Sequence, residues 1–238
     1  GNKKAQTYFS YANTQGSGII DNNKLNRHNL TFRETGSFFN DRLVLDGNVN
    51  LIYQRGKNRP VTGGLYLNPL IGLYTFPRGK DMAEYRAGET WNEDRKMPQQ
   101  IWYKDFNTGM EGNPYWMKNR VTNKDTRFRT IASLNANLKV TDWFTVQGRA
   151  TVDYITDRSE QKMWASTSTT LTGGSWEDRT DNGRYINGSS DEFMAYGDLM
   201  AMFNKTWDKI SLNAVIGTSG NYQRSNSLTI DSYKSGLY

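Results

Sequence analysis

The chain of 238 residues has no cysteine, which excludes a disulfide framework and a thiolate metal site. Its hydrophobic fraction of 36% is low for one large core, whereas aromatic residues reach 13% and glycines number 22, which argues against a helical bundle and for strands joined by polar loops. The net charge is +6, but Lys and Arg are spread evenly along the chain, so we expect no nucleic-acid partner.

Alternation of apolar and polar residues predicts about seven strands. In chain order they lie near residues 4–11, 26–38, 43–54, 127–140, 143–157, 191–204 and 209–222. In the third of them, Leu45 and Val49 fall on one face, and Asp46 and Asn48 fall on the other. The sequence therefore predicts an antiparallel sheet with one apolar and one polar face.

Short turns alternate with long connections between these strands. The short turns are 40–42, 141–142 and 206–209, and the long connections are 12–24, 54–125 and 158–190. One tight rim and one elaborate rim are typical of outer-membrane barrels, which have short periplasmic turns and long extracellular loops. Aromatic residues crowd the tight-turn rim, as in an interfacial girdle. They are Phe38, Phe39, Trp143, Phe144 and Trp207.

A soluble β-sandwich or propeller is the competing interpretation, because apolar and polar residues also alternate along its strands. The apolar faces here are rich in Ala, Gly and single aromatics instead of large aliphatics, and a connection of about 70 residues is unusual in a compact soluble domain. The pattern therefore favours a membrane barrel. Glu34 on the apolar face, and Met194, Met200 and Met202 on the polar face, do not fit that pattern.

Motifs for catalysis or metal binding are few. His28 is the only histidine, so no pair of imidazoles can bind a metal, and a structural role is expected for it. Ser159 and Lys162 match an S-x-x-K pattern whose companion motifs are missing. We therefore expect neither an enzyme nor a bound cofactor or metal.

The connection within 54–126 carries the candidate substrate- or partner-binding residues Trp91, Trp102, Tyr103 and Trp116. Their aromatic faces, interleaved with amides and carboxylates, suit sugar rings or peptides. They equally suit a protein partner, because Trp and Tyr are common interface anchors. The alternative is that these aromatics only hold the loop together.

An apolar segment, NPLIGLYTFPRGKDM (68–82), lies in the same connection and has the period of neither a helix nor a strand. Ordering so long a loop costs about 1–2 kcal/mol of backbone entropy per residue, so the loop needs internal packing. The sequence predicts a miniature core for it, made of Leu70, Leu73, Tyr74 and Phe76.

Five stretches resemble a known protein family and occur in that family's order and spacing. They are NNKLNRHNLTFRETGSFFNDRLVLDGNVN (22–50), YLNPLIGLYTFPRGKDM (66–82), NPYWMKNRVTNKDTRFR (113–129), TDWFTVQGRATVDY (141–154) and EQKMWASTSTTLTGG (160–174). With them the chain resembles the barrel of the SusC/RagA-like TonB-dependent outer-membrane transporters. The resemblance implies an all-β fold in which 1–238 form about seven strands of a transmembrane barrel of ~22, without the plug and N-terminal domain, and 54–126 form a large extracellular loop.

The resemblance also implies a function. Such a barrel lies in the outer membrane of a Gram-negative bacterium, surrounded by lipid, and imports oligosaccharides or peptides. Its expected partners are a SusD-like surface lipoprotein over its mouth and the TonB–ExbB–ExbD complex, which acts through the plug. The expected assembly is a dimer of transporter–lipoprotein pairs. The alternative is a β-rich surface module that binds glycans or mediates adhesion without transport.

Overall fold

The computed structural model describes residues 4–59, 68–104, 112–168 and 182–232. Its main element is an antiparallel sheet of seven strands that follow one another in chain order, and two shorter strands form a separate hairpin. The strands are β1 (Ala5–Ser17), β2 (Lys24–Phe38), β3 (Leu43–Lys57), β4 (Glu89–Asn92), β5 (Met97–Gln100), β6 (Val121–Lys139), β7 (Phe144–Met163), β8 (Arg184–Trp207) and β9 (Ile210–Asp231). The predicted all-β class and the seven main strands are confirmed.

Helices are short and lie in the connection between β3 and β6. They are α1 (Leu70–Tyr74), a 3-10 turn (Met82–Tyr85) and α2 (Pro114–Arg120), while β4 and β5 form the hairpin of the same connection. In the ranges described above, no helix has the length and apolar character needed to cross a bilayer. Among the described strands, β1 and β9 are the two edges, so the sheet is open.

Most strands extend beyond their predicted ends toward the long connections. β1 continues to Ser17, β6 begins at Val121 and β9 continues to Asp231, so the first long connection shrinks to 18–23 and the second to 58–120. The added residues are mostly polar, and isolated apolar residues such as Leu228 and Ile230 are too few to extend the hydrophobic alternation. Backbone pairing with the neighbouring strand holds them, and cross-strand ion pairs such as Arg184–Asp231 add to it.

The register places the predicted apolar residues on one side of the sheet. Val49 lies opposite Phe32 and Ala132, and Leu134 lies opposite Gly47 and Ala150. We call this side the apolar face. Its larger side chains include Leu45, Val49, Leu51, Leu134, Leu138, Val146, Val152, Leu199, Leu212 and Ile216, several of which are exposed.

Two rows of aromatic residues border the apolar face. The turn-side row contains Phe38, Trp143, Phe144, Phe203 and Trp207, with the rings of Phe144 and Phe203 4.7 Å apart, which agrees with the predicted crowding at this rim. The loop-side row contains Tyr11, His28, Tyr53, Phe128, Tyr154, Phe193 and Tyr222. His28 stacks between Tyr11 and Tyr53 and bonds the Tyr11 hydroxyl at 2.7 Å, which gives it the structural role expected.

Arginine–carboxylate pairs cross the opposite side of the sheet, which we call the polar face. Arg33 donates to Asp46 at 2.9 Å, and Arg127 donates to both oxygens of Asp157 at 2.7 Å. Arg129–Asp153 and Arg149–Asp198 repeat the arrangement on later strands. Each pair joins neighbouring strands and places a positive charge beside a negative one. The charges on the polar face therefore largely neutralise each other.

The residues that do not fit the apolar–polar pattern lie on the faces that alternation predicts for their positions. Glu34 lies on the apolar face between Thr7 and Gly47, and the Thr7 hydroxyl donates to its carboxylate. Met200 and Met202 lie beside Gln147 and Thr145 on the polar face, where Met200 packs close to Gly217. The Met200 side chain therefore fills the space that a side chain at position 217 would need, and the unbranched, flexible methionine suits such a position.

Candidate binding surface in the long loops

Trp116 forms the centre of packing in the connection between β3 and β6. The Asn113 side chain caps the N-terminus of α2 by accepting from Tyr115 N at 2.8 Å, and this places Trp116 against Met117 and Met163. Trp116 is only 1% exposed, so its ring cannot reach a partner while the loop is folded. The expectation that Trp116 is a contact residue is therefore corrected: it packs the loop.

A buried polar network joins this connection to the one that follows β7. Gln100 donates from its backbone to the Ser166 hydroxyl at 2.9 Å and from its side-chain amide to the Ser166 carbonyl at 3.0 Å. The Gln100 side-chain oxygen accepts from Asn113 N at 2.6 Å, and Trp116 Nε1 donates to the Thr167 hydroxyl at 3.0 Å. The two connections are thus held together by buried hydrogen bonds. Ser166 and Thr167 could not be recognised from the sequence, because isolated polar residues in loops resemble ordinary turn residues.

Trp102 and Tyr103 lie in an aromatic cluster with Phe76 and Tyr85. The ring centroids of neighbours in the cluster are 5.0–5.8 Å apart, and the Tyr103 hydroxyl donates to the Thr75 carbonyl at 3.0 Å. Edge-on and tilted contacts of this kind stabilise by about 0.5–1.5 kcal/mol per pair. The structure brings Trp102 and Tyr103 together, and both contribute to packing of the loop.

The apolar segment is packed only in part as the sequence predicts. Its residues 70–74 form α1, where Gly72 is buried so closely that an added Cβ would lie 2.1 Å from the Gly112 carbonyl oxygen. Phe76 packs in the aromatic cluster as expected. Leu73 and Tyr74 are 49% and 81% exposed, so the prediction of a miniature core is wrong for these two. A one-turn helix can bury only one side, and Gly72 occupies that side.

Phe76→Ala should loosen the aromatic cluster, whereas Leu73→Ala should not. Removing the Phe76 ring deletes three ring contacts and should lower the local stability of the loop by about 1–3 kcal/mol. Hydrogen exchange of the peptide covering 97–104 would measure the effect, with Leu73→Ala as the exposed control. Equal loss of protection in both variants would contradict the packing described here.

Trp91 is the most accessible of the four predicted contact residues. It lies on β4 opposite Pro98 and is 53% exposed. The hairpin that carries it is tied down at its turn, since Arg95 N donates to the Asn92 side chain at 2.9 Å and the Arg95 guanidinium donates to Asn182 at 3.3 Å. Trp91 is therefore an exposed indole on an anchored hairpin, which suits it to contact a ligand.

Trp164 is an exposed aromatic residue that sequence analysis passed over. It follows the end of β7, and the Arg120 guanidinium lies 4.2 Å from its ring centroid. Arg120 in turn donates to both carboxylate oxygens of Glu89 at 2.6 Å, and these hydrogen bonds raise the pKa of Arg120. Trp164 lies in a stretch that carries the family resemblance, but no local pattern distinguished it from a packing residue.

A concave region on the polar face provides a second place where a ligand could lie. Its volume is about 950 Å³ between β1, β2, β3 and β6. Hydroxyl and amide groups line it around the Arg33–Asp46 pair, including Gln6, Thr31, Asn48, Ser133 and Asn135. Among the described residues, no three His, Asp or Glu side chains come together in a way that could hold a metal ion. The chemistry of this region is that of hydrogen bonding to a polar ligand.

Comparison with known proteins identifies the fold through solved structures. No protein-family model matches the chain, and no curated protein matches its sequence. The class of fold is an antiparallel sheet of long strands, with one apolar and one polar face in this chain. Chains of solved transporters have a similar fold.

Three of the similar structures are chains of the RagAB peptide importer. One in the open-open state superposes with a TM-score of 0.61 at 13% identity, covering 97% of this chain and 24% of the other. A structure of the RagAB peptide transporter gives 0.60 at 12%, with 98% and 24% covered, and a closed-closed state gives 0.56 at 12%, with 97% and 28%. The chain spans about a quarter of the length of these chains. The likeness shows a RagA/SusC-like β-rich fold.

Proposed function

We propose that the chain is part of the wall and outer loops of a TonB-dependent outer-membrane transporter of the SusC/RagA kind. The observation that carries this proposal is the apolar face bounded by two aromatic rows. Aromatic girdles on both sides of an apolar band are characteristic of outer-membrane barrels. A soluble sheet would need another layer over so exposed an apolar face.

The height of the band supports a bilayer as its surroundings. Leu43 and Tyr53 mark its two limits on β3 and are ten residues apart. At ~3.3 Å per residue this is roughly 33 Å along the strand, and a strand tilt of about 45° reduces it to roughly 23 Å. The apolar band of outer-membrane barrels is about 25 Å tall.

The polar face then lines the interior. Arginine–carboxylate pairs such as Arg129–Asp153 would be very costly against hydrocarbon but are acceptable in a wet lumen. The concave region around Arg33 and Asp46 would face the plug or the passing substrate, and its amides and hydroxyls suit a peptide or an oligosaccharide. We favour peptides, since three similar structures are those of a peptide importer or transporter.

The packed loops supply the outer surface in this proposal. The network through Gln100 and Trp116 holds two connections in one arrangement, so a partner meets a preorganised surface. The partner proposed is a SusD-like lipoprotein over the mouth, with loops on the extracellular side. Energy would come from TonB–ExbB–ExbD through a plug, and the assembly would be a dimer of transporter–lipoprotein pairs.

Fractionation and uptake test this function together. Cells that express the full-length protein should retain it in the outer membrane after salt and carbonate washes and release it only with detergent. A fluorescent peptide should accumulate in the periplasm only when the intact gene and an active TonB complex are present. Recovery of the protein in a salt-washable fraction would contradict the transporter and support a surface-binding module. Uptake of a labelled oligosaccharide but no peptide would change the substrate class.

A further inference from the structure

Trp164 combines exposure with an unusually fixed position. Its ring is 43% exposed, whereas Trp116 nearby is buried. Its backbone N donates to the Arg120 carbonyl at 3.2 Å, and its carbonyl accepts from Thr167 N at 3.0 Å. The Arg120 guanidinium covers part of the ring at 4.2 Å. An aromatic side chain fixed in this way loses little conformational entropy when a ligand binds it.

Arg120 fixes the indole of Trp164 because its own position is fixed. Both carboxylate oxygens of Glu89 accept from the Arg120 guanidinium at 2.6 Å, in a bidentate pair that defines the plane of the guanidinium. Arg120 also lies 5.9 Å from the ring centroid of Trp116, so the guanidinium is close both to the buried core of the loop and to Trp164. The exposed indole is therefore coupled to the core of the loop.

Trp91 belongs to the same surface. Glu89 and Trp91 are two residues apart on β4, and alternate residues of a strand project to the same side. Trp91 therefore projects from the same side of β4 as Glu89, and the ring of Trp164 lies against the Arg120 guanidinium that pairs with Glu89. The pair cancels its own charge, so the surface around it suits an uncharged group. An apolar or aromatic side chain of a peptide is such a group.

We propose that Trp164 is a binding residue for uncharged side chains of the imported peptide, acting together with Trp91, and that Arg120 is its positioning residue. The inference rests on the proposed function and adds to it a site built from two connections. It also predicts a substrate preference: peptides with an aromatic or large apolar residue bind better than equally long peptides of small polar residues. The preference arises because the indole faces offer stacking area and no net charge.

Binding by the purified full-length transporter in detergent tests this inference. The probes are two capped, uncharged pentapeptides that differ only in a central phenylalanine or serine. The unaltered protein should bind the phenylalanine peptide more tightly. Trp164→Ala should weaken that binding about tenfold, a typical effect for truncating an aromatic anchor, and should leave the serine peptide nearly unaffected. Trp164→Phe should restore most of the affinity.

Two further variants separate binding from packing. Arg120→Lys should weaken binding of the phenylalanine peptide by about threefold. Lysine can neither pair with both Glu89 oxygens nor stack as a planar group on the Trp164 ring. Trp207→Ala removes a similarly exposed tryptophan at the turn-side row and should change neither affinity. Hydrogen exchange of 97–104 should remain as in the unaltered protein for Trp164→Ala.

Several outcomes would overturn the assignment. One is that Trp164→Ala binds the phenylalanine peptide with unchanged affinity. Another is that the affinity falls together with the hydrogen-exchange protection of 97–104 and that Trp164→Phe does not restore it. If the unaltered transporter takes up peptide and Trp164→Ala does so equally well, only this inference fails. If the unaltered transporter takes up no peptide, this inference fails as well, and if it takes up no oligosaccharide either, the proposed function fails with it.

Discussion

Val49→Arg should lower the stability of the membrane-inserted protein by about 2–4 kcal/mol, the cost of a cation near the middle of the lipid-facing band of a barrel. Val49 lies on the apolar face of β3, between Leu45 and Tyr53 and opposite Ala132. The cost arises because hydrocarbon cannot solvate the guanidinium, and a site near the middle of the band is far from either interface. Urea titration of the full-length protein in vesicles, followed by heat-modifiable mobility on a gel, would measure it.

Asn48→Arg is the matched control for that substitution. Asn48 precedes Val49 on the same strand at nearly the same depth, but it lies on the polar face beside the Arg33–Asp46 pair. A guanidinium there meets hydroxyls and amides, so we expect a far smaller loss. Equal losses in the two variants would mean that both faces of the sheet are covered by protein, and the proposed membrane location would then be wrong.

The strands could be predicted from sequence wherever their two faces differ. Leu45 and Asp46 lie on unlike faces, and alternation of this kind revealed all seven main strands. It could not reveal the loop-side extensions, such as Asn123 and Lys124 on β6, because there both faces are polar. The faces carry a period-two signal only within the apolar band, while pairing with neighbouring strands continues beyond it.

The loops were predicted less well because their packing depends on distant residues. Trp116 and Trp91 both have polar residues close to them in the sequence, yet one is buried and the other exposed. The difference comes from Thr167 and Ser166, which approach from the next connection and close the core around Trp116. No pattern within 54–126 contains that information. The same reason explains why Trp164 was overlooked: its position depends on Arg120 and Glu89.

The largest effect in the loops is expected for Trp116→Ala. Truncating a fully buried tryptophan costs about 3–5 kcal/mol, because it removes apolar contacts and leaves a cavity. Here it also removes the donor that satisfies the buried Thr167 hydroxyl. Since Trp116 packs both connections, we expect them to open while the strands stay paired. Protease added to intact cells should then cut within the loops, and the protein should keep its heat-modifiable mobility.

Trp91→Ala provides the comparison that separates packing from binding. Trp91 is exposed on an anchored hairpin, so its loss should leave the protease pattern unchanged and weaken peptide uptake or association with the lipoprotein. If Trp91→Ala opened the loops as widely as Trp116→Ala, Trp91 would be a packing residue and the proposed surface would lose one of its two indoles. If Trp116→Ala left the loops resistant to protease but abolished uptake, the buried position of Trp116 would be wrong for the working transporter. The two tryptophans differ in burial and not in chemistry. If Trp116→Ala opens the loops and Trp91→Ala only weakens uptake or association, burial by the connection after β7 decides which aromatic residues of this loop can meet a ligand.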